Sequence, residues 1–476
     1  MLRSLHLKDV GPAPELKFEF APRLNLLTGD NGLGKSFVLD VLWYAHTWSW
    51  WKNPAMPRKD AKRDTSPRPG NNYLTSEINY RFVDSPKGQG RNYRCSFHAS
   101  DQEWESHPTD QKGNWMLRDG SAGGAGARRM DESLFPGDGI VIYARVDGGF
   151  SVWDSYRNRG RHENSGPLET RLRTYEIDRD QVWDGPKIAG ARPFNGLIYD
   201  WVRWQQSNNG PWTLLKEVLA ALTGEGPAET LKPGDPARVS VDDTRDIPTL
   251  VLPYGSVPIT LASAGMRRVA SLAYIIVWAW YENKLAAELF RAPVAKSIVV
   301  LIDEVETHLH PAWQRLLLPA LMRVLARLND DIQVQVFAST HSPMVMASVE
   351  SSFDEALDEV HHFSMDGSVV SARGLPFVKR GDASGWLTSD SFGMHSARSV
   401  EGERAIEAAM AFMRGDTAAA QGFLAGIEPA DLPKRTALKE RVHETLCLHL
   451  GGHDRFWPRW VVTYEKAAGK PKPREK

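Results

Sequence analysis

Acids and histidines that could do chemistry lie together after one apolar segment of the chain. Asp303, Glu304 and Glu306 follow the run SIVVLI, and His308 and His310 come directly after them. Such residues serve two chemistries: carboxylates hold Mg²⁺ and activate water beside a nucleotide, whereas histidines with acids ligate transition metals. No cysteine or further histidine lies nearby in the sequence to complete a transition-metal site. Hydrolysis of a nucleotide is therefore favoured, provided that the chain also has a phosphate-binding loop.

A glycine-rich segment near the start of the chain fits such a loop. Residues 29–36 read GDNGLGKS, which matches G-x-x-x-x-G-K-[ST], between the strand-like RLNLL and the helical FVLDVLWYAHTW. In this setting glycines let backbone N–H groups converge on phosphate oxygens, and the helix N-terminus adds its positive dipole end. We expect Lys35 to bridge the β- and γ-phosphates of ATP and Ser36 to ligate Mg²⁺. The residues expected to contact ATP are Gly29, Asn31, Gly32, Gly34, Lys35, Ser36 and Phe37.

The acids after SIVVLI complete the expected hydrolytic site. A phosphate loop needs a second strand that ends in acids, so we assign Asp303 to Mg²⁺ and Glu304 as the base that orients the attacking water. His341 follows a second strand-like run, where a side chain can reach a γ-phosphate held at neighbouring strand ends. Ser263 and Gly265, in LASAGMRR, lie at the start of a predicted helix, which is a further anion-binding position.

Composition and charge exclude several classes of protein. The 476 residues carry 58 Lys+Arg against 59 Asp+Glu, so no overall field attracts nucleic acid or anionic lipid. The loops Arg58–Arg68 and Arg128–Arg129 offer only local or indirect contacts with nucleic acid. The two cysteines, Cys95 and Cys447, suit a reducing cytosol. No signal peptide or membrane-spanning run is visible, so we expect a cytoplasmic protein without membrane contact.

The hydropathy pattern divides the chain at about residue 390. Residues 1–390 alternate strands and helices, as expected for an ATPase domain, with insertions at about 48–137 and 169–245. The first insertion reads as short hairpins between loops rich in Pro, Gly and charge. Residues 391–476 form a helical C-terminal subdomain that ends in the basic tail KPKPREK. The predicted fold class is α/β, with a mostly parallel sheet and a β-rich lobe from the N-terminal strands.

The order of these motifs resembles the ABC-type ATPases related to SMC proteins. The motifs are G-x-N-G-x-G-K-S, L-x-S-x-G, hydrophobic-D-E with E-x-H-L-H-P, and S-T-H-S-P. Within that group they look most like the OLD-like and Septu-like ATPases of bacterial anti-phage defence. The resemblance implies an ABC-type P-loop head in which Ser263 and Gly265 contact the ATP of a second subunit, and in which His341 is the switch histidine. It therefore implies a homodimer or higher homo-oligomer that sandwiches ATP and Mg²⁺.

The same resemblance raises the question of what hydrolysis drives. OLD proteins carry a C-terminal TOPRIM nuclease domain, and RSVEGERAIEAAM contains the V-E-G step with which such domains open. No apolar strand precedes Val400 and no D-x-D motif follows it, so the start of a helix is the favoured interpretation. We therefore expect an ATPase that controls a separate effector protein, a nuclease, through ATP-dependent head dimerisation. The alternatives are a DNA-repair ATPase of the RecF or SMC kind and a self-contained OLD-type nuclease.

Overall fold

The computed structural model describes residues 1–59, 61–62, 73–83, 90–99, 102–109, 139–158, 174–186, 193–224, 230–433 and 436–466. They belong to two compact units, Met1–Ala383 and Ser384–Lys476. Of the basic loops that the sequence suggested as nucleic-acid contacts, residues 63–68 and Arg128–Arg129 lie outside the described residues. None of the helices in these ranges is long and apolar enough to cross a membrane.

Strands and helices alternate through the first unit, and helices make up the second. The strands are β1 (Leu2–Val10), β2 (Ala13–Glu19), β3 (Leu24–Gly29), β4 (Tyr73–Val83), β5 (Gly90–His98), β6 (Glu103–Thr109), β7 (Ile140–Ala144), β8 (Phe150–Asp154), β9 (Tyr175–Ile177), β10 (Lys232–Arg238), β11 (Asp246–Leu252), β12 (Gly255–Pro258), β13 (Ser297–Ile302), β14 (Gln333–Ser339), β15 (Asp358–Asp366) and β16 (Val369–Leu375). The helices are α1 (Lys35–Thr47), α2 (Arg179–Asp184), α3 (Leu197–Ser207), α4 (Gly210–Thr223), α5 (Ala264–Phe290), α6 (Pro311–Gln314), α7 (Leu317–Ala326), α8 (Pro343–Val349), α9 (Ala383–Leu387), α10 (Val400–Met413), α11 (Thr417–Leu424), α12 (Leu438–His449) and α13 (Trp457–Lys466).

A mixed sheet forms the centre of the first unit. Its strand order within the described ranges is β16-β15-β3-β14-β13-β7-β8-β9. The strands from β15 to β7 run parallel, whereas β16, β8 and β9 are antiparallel additions at the edges. β13 is apolar on both faces and almost fully buried, as strands in the centre of a parallel sheet are. This sheet confirms the α/β fold class predicted from the sequence.

The N-terminal strands form a separate antiparallel sheet with the order β2-β1-β4-β5-β6 in the described part of the chain. β1 lies between β2 and β4 and pairs with both. β4, β5 and β6 belong to the segment 48–137 that the sequence suggested as an insertion, so this segment contributes three strands to the β-rich lobe. The lobe shares one apolar core with α1 and the central sheet, which includes Leu7, Ile78, Leu42 and Phe337.

The segment after the predicted acid pair differs from the sequence prediction in one detail. Residues 311–328 suggest a single helix, but the structure breaks it into α6 and α7. Pro319 explains the break, because a proline has no backbone N–H and its ring collides with the carbonyl of the residue four positions earlier, here Arg315. The short α6 therefore ends before α7 begins.

The second unit has its own small core, formed by α10, α11, α12 and α13. Trp460 is fully buried there, beside Ala405, Val442 and Leu446. α10 begins after Ser399, whose Oγ accepts a hydrogen bond from the backbone N of residue 402 at 3.1 Å. The segment with the V-E-G step is thus a capped helix, as the sequence predicted.

Candidate functional site

Three adjacent parallel strands, β3, β14 and β13, end at the same edge of the central sheet. Leu26 lies opposite Ala338, which lies opposite Ile302, so the residues that follow these strands are neighbours. β3 leads into the glycine loop, β13 into the acid pair Asp303–Glu304, and β14 into the segment that contains His341. The structure therefore brings together three of the elements that the sequence predicted for one site.

The glycine loop has the backbone conformation that a phosphate cradle requires. Gly29, Gly32 and Gly34 have φ values of 120°, 78° and 97°, which residues with side chains rarely adopt. A Cβ at Gly29 would overlap the carbonyl oxygen of Phe363, whereas a Cβ at Gly32 would meet nothing within 4 Å. The loop is therefore closely packed at its start and open at Gly32, where a phosphate can approach the backbone.

Lys35 lies inside this loop. It is buried, and its Nζ donates to the carbonyls of Gly29 and Asp30 at 2.9 and 2.7 Å. Burial lowers the pKa of Lys35, and Asp303 is the acid that opposes this effect most strongly. The Lys35 ammonium and the Asp303 carboxylate thus act on each other across the edge of the sheet.

The remaining loop residues differ in what they can contact. Asn31 and Ser36 are exposed at the loop and at the start of α1. Phe37 is partly buried against the apolar core, and a Cβ at Gly11 would overlap its ring. The Phe37 side chain therefore packs within the protein, and only its backbone N–H, in the first turn of α1, is left for a phosphate.

Ser339, the last residue of β14, holds the acid pair in position. Its Oγ donates to Asp303 Oδ1 at 2.7 Å and accepts from the backbone N of Glu304 at 2.8 Å. Glu304 has a φ of 49°, a left-handed conformation that is unfavourable for a side chain of this size. Thr307 Oγ1 donates to Glu304 Oε2 at 2.9 Å. Two hydroxyl groups thus orient the two carboxylates.

Glu306 connects the turn after β13 to the end of β14. Its carboxylate accepts from Thr340 Oγ1 at 2.7 Å and from the backbone N of His341 at 2.6 Å. Burial lowers the pKa of His341, and the charge of Lys35 lowers it further. Both effects favour the neutral imidazole, which can donate one N–H to an anion.

The residues that the resemblance places against a second subunit lie in the first turn of α5. Ser263 is exposed and caps the helix, because its Oγ accepts from the backbone N of Met266 at 3.3 Å. Gly265 is buried, and a Cβ there would lie 2.6 Å from the carbonyl oxygen of His308. Gly265 therefore has a packing role within its own chain, whereas Ser263 is accessible to a second subunit.

The two histidines of the turn after β13 shape its backbone. His308 has a φ of 64°, and His310 caps α6 through Nδ1, which accepts from the backbone N of Ala312 at 3.3 Å. Within the described ranges, no three His, Cys, Asp or Glu side chains are grouped so that they could hold a metal ion.

Ser339, Thr340 and Glu306 make hydrogen bonds at this candidate site to which the sequence prediction assigned no role. Their hydrogen bonds join residues 34 to 36 positions apart in the chain, and they form because β13 and β14 pair in one particular register. The signal available in the sequence was their position: Ser339 and Thr340 come directly before His341 at the end of a buried strand.

The side chains at this edge fit ATP with Mg²⁺. Mg²⁺ prefers oxygen ligands and is usually held by one or two carboxylates together with substrate phosphates and water. Asp303 offers a carboxylate and Ser36 an exposed hydroxyl at the start of α1. The loop offers backbone N–H groups and an ammonium to the phosphates.

Comparison with protein families agrees with this site. Residues 4–177, which contain the glycine loop, match a family described as "AAA domain", and residues 245–347, which contain the acid pair and His341, match "AAA domain, putative AbiEii toxin, Type IV TA system". The chain carries an AAA-type ATPase core. The two matches together include all of the candidate site residues named above.

Two curated relatives share a short stretch with this AAA-type core. The chain is 36% identical over 64 residues to the "Retron Vc95 probable ATPase" of Vibrio cholerae serotype O1 biovar El Tor. It is also 36% identical over 59 residues to the "Retron Ec83 probable ATPase" of Escherichia coli. These stretches are 13% and 12% of this chain, and the chain spans 11% and 10% of the length of the two relatives.

Solved structures of low sequence identity also align with the AAA-type core. An SMC head domain from Thermotoga maritima is 13% identical with a TM-score of 0.36, covering 79% of this chain and 99% of that one. The recombination mediator protein RecF is 13% identical with a TM-score of 0.35, covering 78% of this chain and 98% of that one. The fold assignment rests on the strand order and the phosphate loop of this chain, since these scores are low.

Proposed function

We propose that the chain is the ATP-binding and hydrolysing subunit of an anti-phage defence complex in the cytoplasm, and that it controls a separate effector protein, a nuclease. The observation that carries the ATPase assignment is the meeting of the glycine loop, the acid pair and His341 at one edge of the sheet. The defence assignment is supported by the similarity to two retron ATPases and by the motif order shared with OLD-like and Septu-like ATPases.

In the proposed reaction, water attacks the γ-phosphorus of ATP and releases ADP and phosphate. Lys35 and the loop N–H groups bind the β- and γ-phosphates, and Glu304 accepts a proton from the attacking water. Asp303 and Ser36 would hold Mg²⁺, which would offset the negative charge of the phosphate oxygens. The imidazole of His341 donates an N–H to the γ-phosphate.

Two copies of the chain bind ATP between them, as a homodimer or within a higher homo-oligomer. Ser263 of one copy, with the backbone of Gly265 beside it, contacts the ATP on the loop of the other copy. ATP between the copies stabilises one arrangement, and hydrolysis permits another. A surface that both copies contribute to can then bind the effector differently in the two states.

Phage plating tests the defence role directly. Cells would carry the native operon, the operon without the neighbouring genes, this gene alone, or the operon with Glu304→Gln. We expect protection from the intact operon only, because both hydrolysis and an effector are required. A gene for a nuclease beside this one would identify the effector to delete.

Other results would favour the alternatives. Full protection by this gene alone would refute the separate effector and indicate a self-contained nuclease. ATP hydrolysis by the purified full chain that DNA ends or gaps stimulate, without any effect on phage, would favour a DNA-repair ATPase.

A further inference from the structure

Arg268, in the second turn of α5, is a partly buried cation that the site described above does not use. We propose that Arg268 is a further nucleotide-binding residue, whose guanidinium binds the terminal phosphate of ATP. This inference rests on the proposed ATPase function and adds to it a residue that distinguishes ATP from ADP.

Arg268 lies between the end of β7 and the turn after β13. Its Nη1 donates to the carbonyl of Arg145, directly after β7, at 2.7 Å. One helical turn earlier, Gly265 packs against the carbonyl of His308 in the turn that follows the acid pair. Residues three apart share a face of a helix, so the face of α5 that carries Arg268 is turned toward the hydrolytic edge of the sheet.

The second terminal nitrogen of Arg268 makes no hydrogen bond in the described part of the chain, where the guanidinium carbon lies 5.9 Å from the centre of the Phe150 ring. This nitrogen, Nη2, is buried. Burial lowers the pKa of Arg268 to about 10, although Asp147 and Asp303 act in the opposite direction. The guanidinium is therefore still cationic at pH 7, and its buried nitrogen without a hydrogen bond is unfavourable until an anion accepts one.

Arg145, whose carbonyl accepts the hydrogen bond of Arg268, has a guanidinium with hydrogen bonds at both terminal nitrogens. Arg145 Nη1 donates to Ser151 Oγ at 2.7 Å and Nη2 donates to the carbonyl of Ile177 at 2.9 Å. Glu176 lies 3.4 Å from the same side chain. Arg145 is thus fixed by the protein, whereas Arg268 keeps one nitrogen available for a ligand.

The phosphate end of a nucleotide on the glycine loop is the anion that fits this position. α1 packs against β7, β13 and β14, and Tyr143 on β7 donates to Asp40 Oδ1 in α1 at 3.0 Å. Asp40 is the sixth residue of α1, so the first turn of α1, with Lys35 and Ser36, extends past Tyr143 toward the carboxyl end of β7. Arginine binds phosphate through two parallel hydrogen bonds, and ADP lacks the terminal group that would accept them.

The inference predicts that Arg268 distinguishes ATP from ADP. The full-length chain would be titrated with a non-hydrolysable ATP analogue plus Mg²⁺ and, separately, with ADP plus Mg²⁺. Arg268→Met keeps most of the length of the side chain but removes its charge. We expect it to lower the affinity for the analogue by roughly tenfold or more and to change the affinity for ADP by no more than about twofold. Lys284→Met removes an exposed cation from the same helix and should change neither affinity.

Equal losses for the analogue and ADP, or no loss for either, would overturn the inference, because a structural role does not depend on the terminal phosphate. If Arg268→Met does not fold, Arg268→Lys answers the same question: it keeps the charge but not the paired nitrogens, and it should lose part of the preference for the analogue. A wild-type chain that binds neither nucleotide would overturn the proposed function together with this inference. If the wild type prefers the analogue and both Arg268 variants keep that preference, the role of Arg268 is overturned but the proposed function is not.

Discussion

Replacing Ser339 by alanine tests whether the acid pair is positioned as a hydrolytic centre. Ser339 is fully buried, and its Oγ bonds both Asp303 and the backbone N of Glu304. A hydrogen bond to a carboxylate contributes about 1.5–3 kcal/mol, and a buried N–H left without an acceptor costs about 1–3 kcal/mol. We therefore expect Ser339→Ala to lower the free energy of unfolding by about 2.5–6 kcal/mol in urea denaturation.

The same substitution should impair hydrolysis more than nucleotide binding. Asp303 is the expected Mg²⁺ ligand, and loss of the partner that orients such a ligand typically lowers metal affinity or activity about 10–100-fold. ATP turnover measured against Mg²⁺ concentration should show a lower kcat and a higher half-saturating Mg²⁺ concentration. ADP binding without Mg²⁺ should be unchanged, because Lys35 keeps its own hydrogen bonds within the loop.

A second buried serine provides the control. Ser348 Oγ donates to the carbonyl of Val345 at 2.6 Å within α8, so Ser348→Ala removes only a local bond between neutral groups and should cost about 0.5–1.5 kcal/mol. If folded Ser339→Ala hydrolyses ATP like the wild type at every Mg²⁺ concentration, the acid pair does not act as inferred.

Further substitutions test separate parts of the site. Lys35→Ala should abolish ATP binding, whereas Glu304→Gln should bind ATP but release no phosphate. ATP turnover by Glu304→Gln at the wild-type rate would refute the assignment of Glu304 as the base. Gly265→Ala should lower the free energy of unfolding by about 1–3 kcal/mol, because its Cβ would lie 2.6 Å from a carbonyl oxygen, and unchanged stability in urea would contradict that contact. Burial raises the pKa of Asp40 to about 6, above its value in the unfolded chain, so its contribution to stability falls as pH rises from about 4 to 6. Asp40→Asn should therefore be about 1–3 kcal/mol more stable than the wild type at about pH 8, and this difference should disappear by about pH 3. An equal difference in stability at both pH values would show that the charge of Asp40 is not the cause.

The sequence predicts those parts of the site that are encoded in short contiguous segments. The glycine loop and the acid pair each follow a strongly apolar strand, and the residue types alone restrict the chemistry. His341 could be placed for the same reason, at the end of β14. The parallel central sheet follows from strands without a polar face.

Contacts between distant segments could not be predicted in this way. The hydrogen bonds of Ser339 to Asp303 and of Glu306 to Thr340 depend on the register between β13 and β14, which no local pattern specifies. The pairing of β4 with β1 is of the same kind. The break between α6 and α7, in contrast, had a local signal in Pro319. Apolar periodicity alone does not show this signal.

The first turns of α5 give a physical reason why a second subunit would influence hydrolysis. Ser263 is exposed at the helix start, Gly265 packs against the turn after the acid pair, and Arg268 is bonded to the end of β7. A helix of this length is stiff, so a displacement of Ser263 would move Gly265 and Arg268 with it. In the proposed dimer, a second copy bound at the helix start would thus act through Gly265 on the turn that carries Glu304, without touching Glu304 itself.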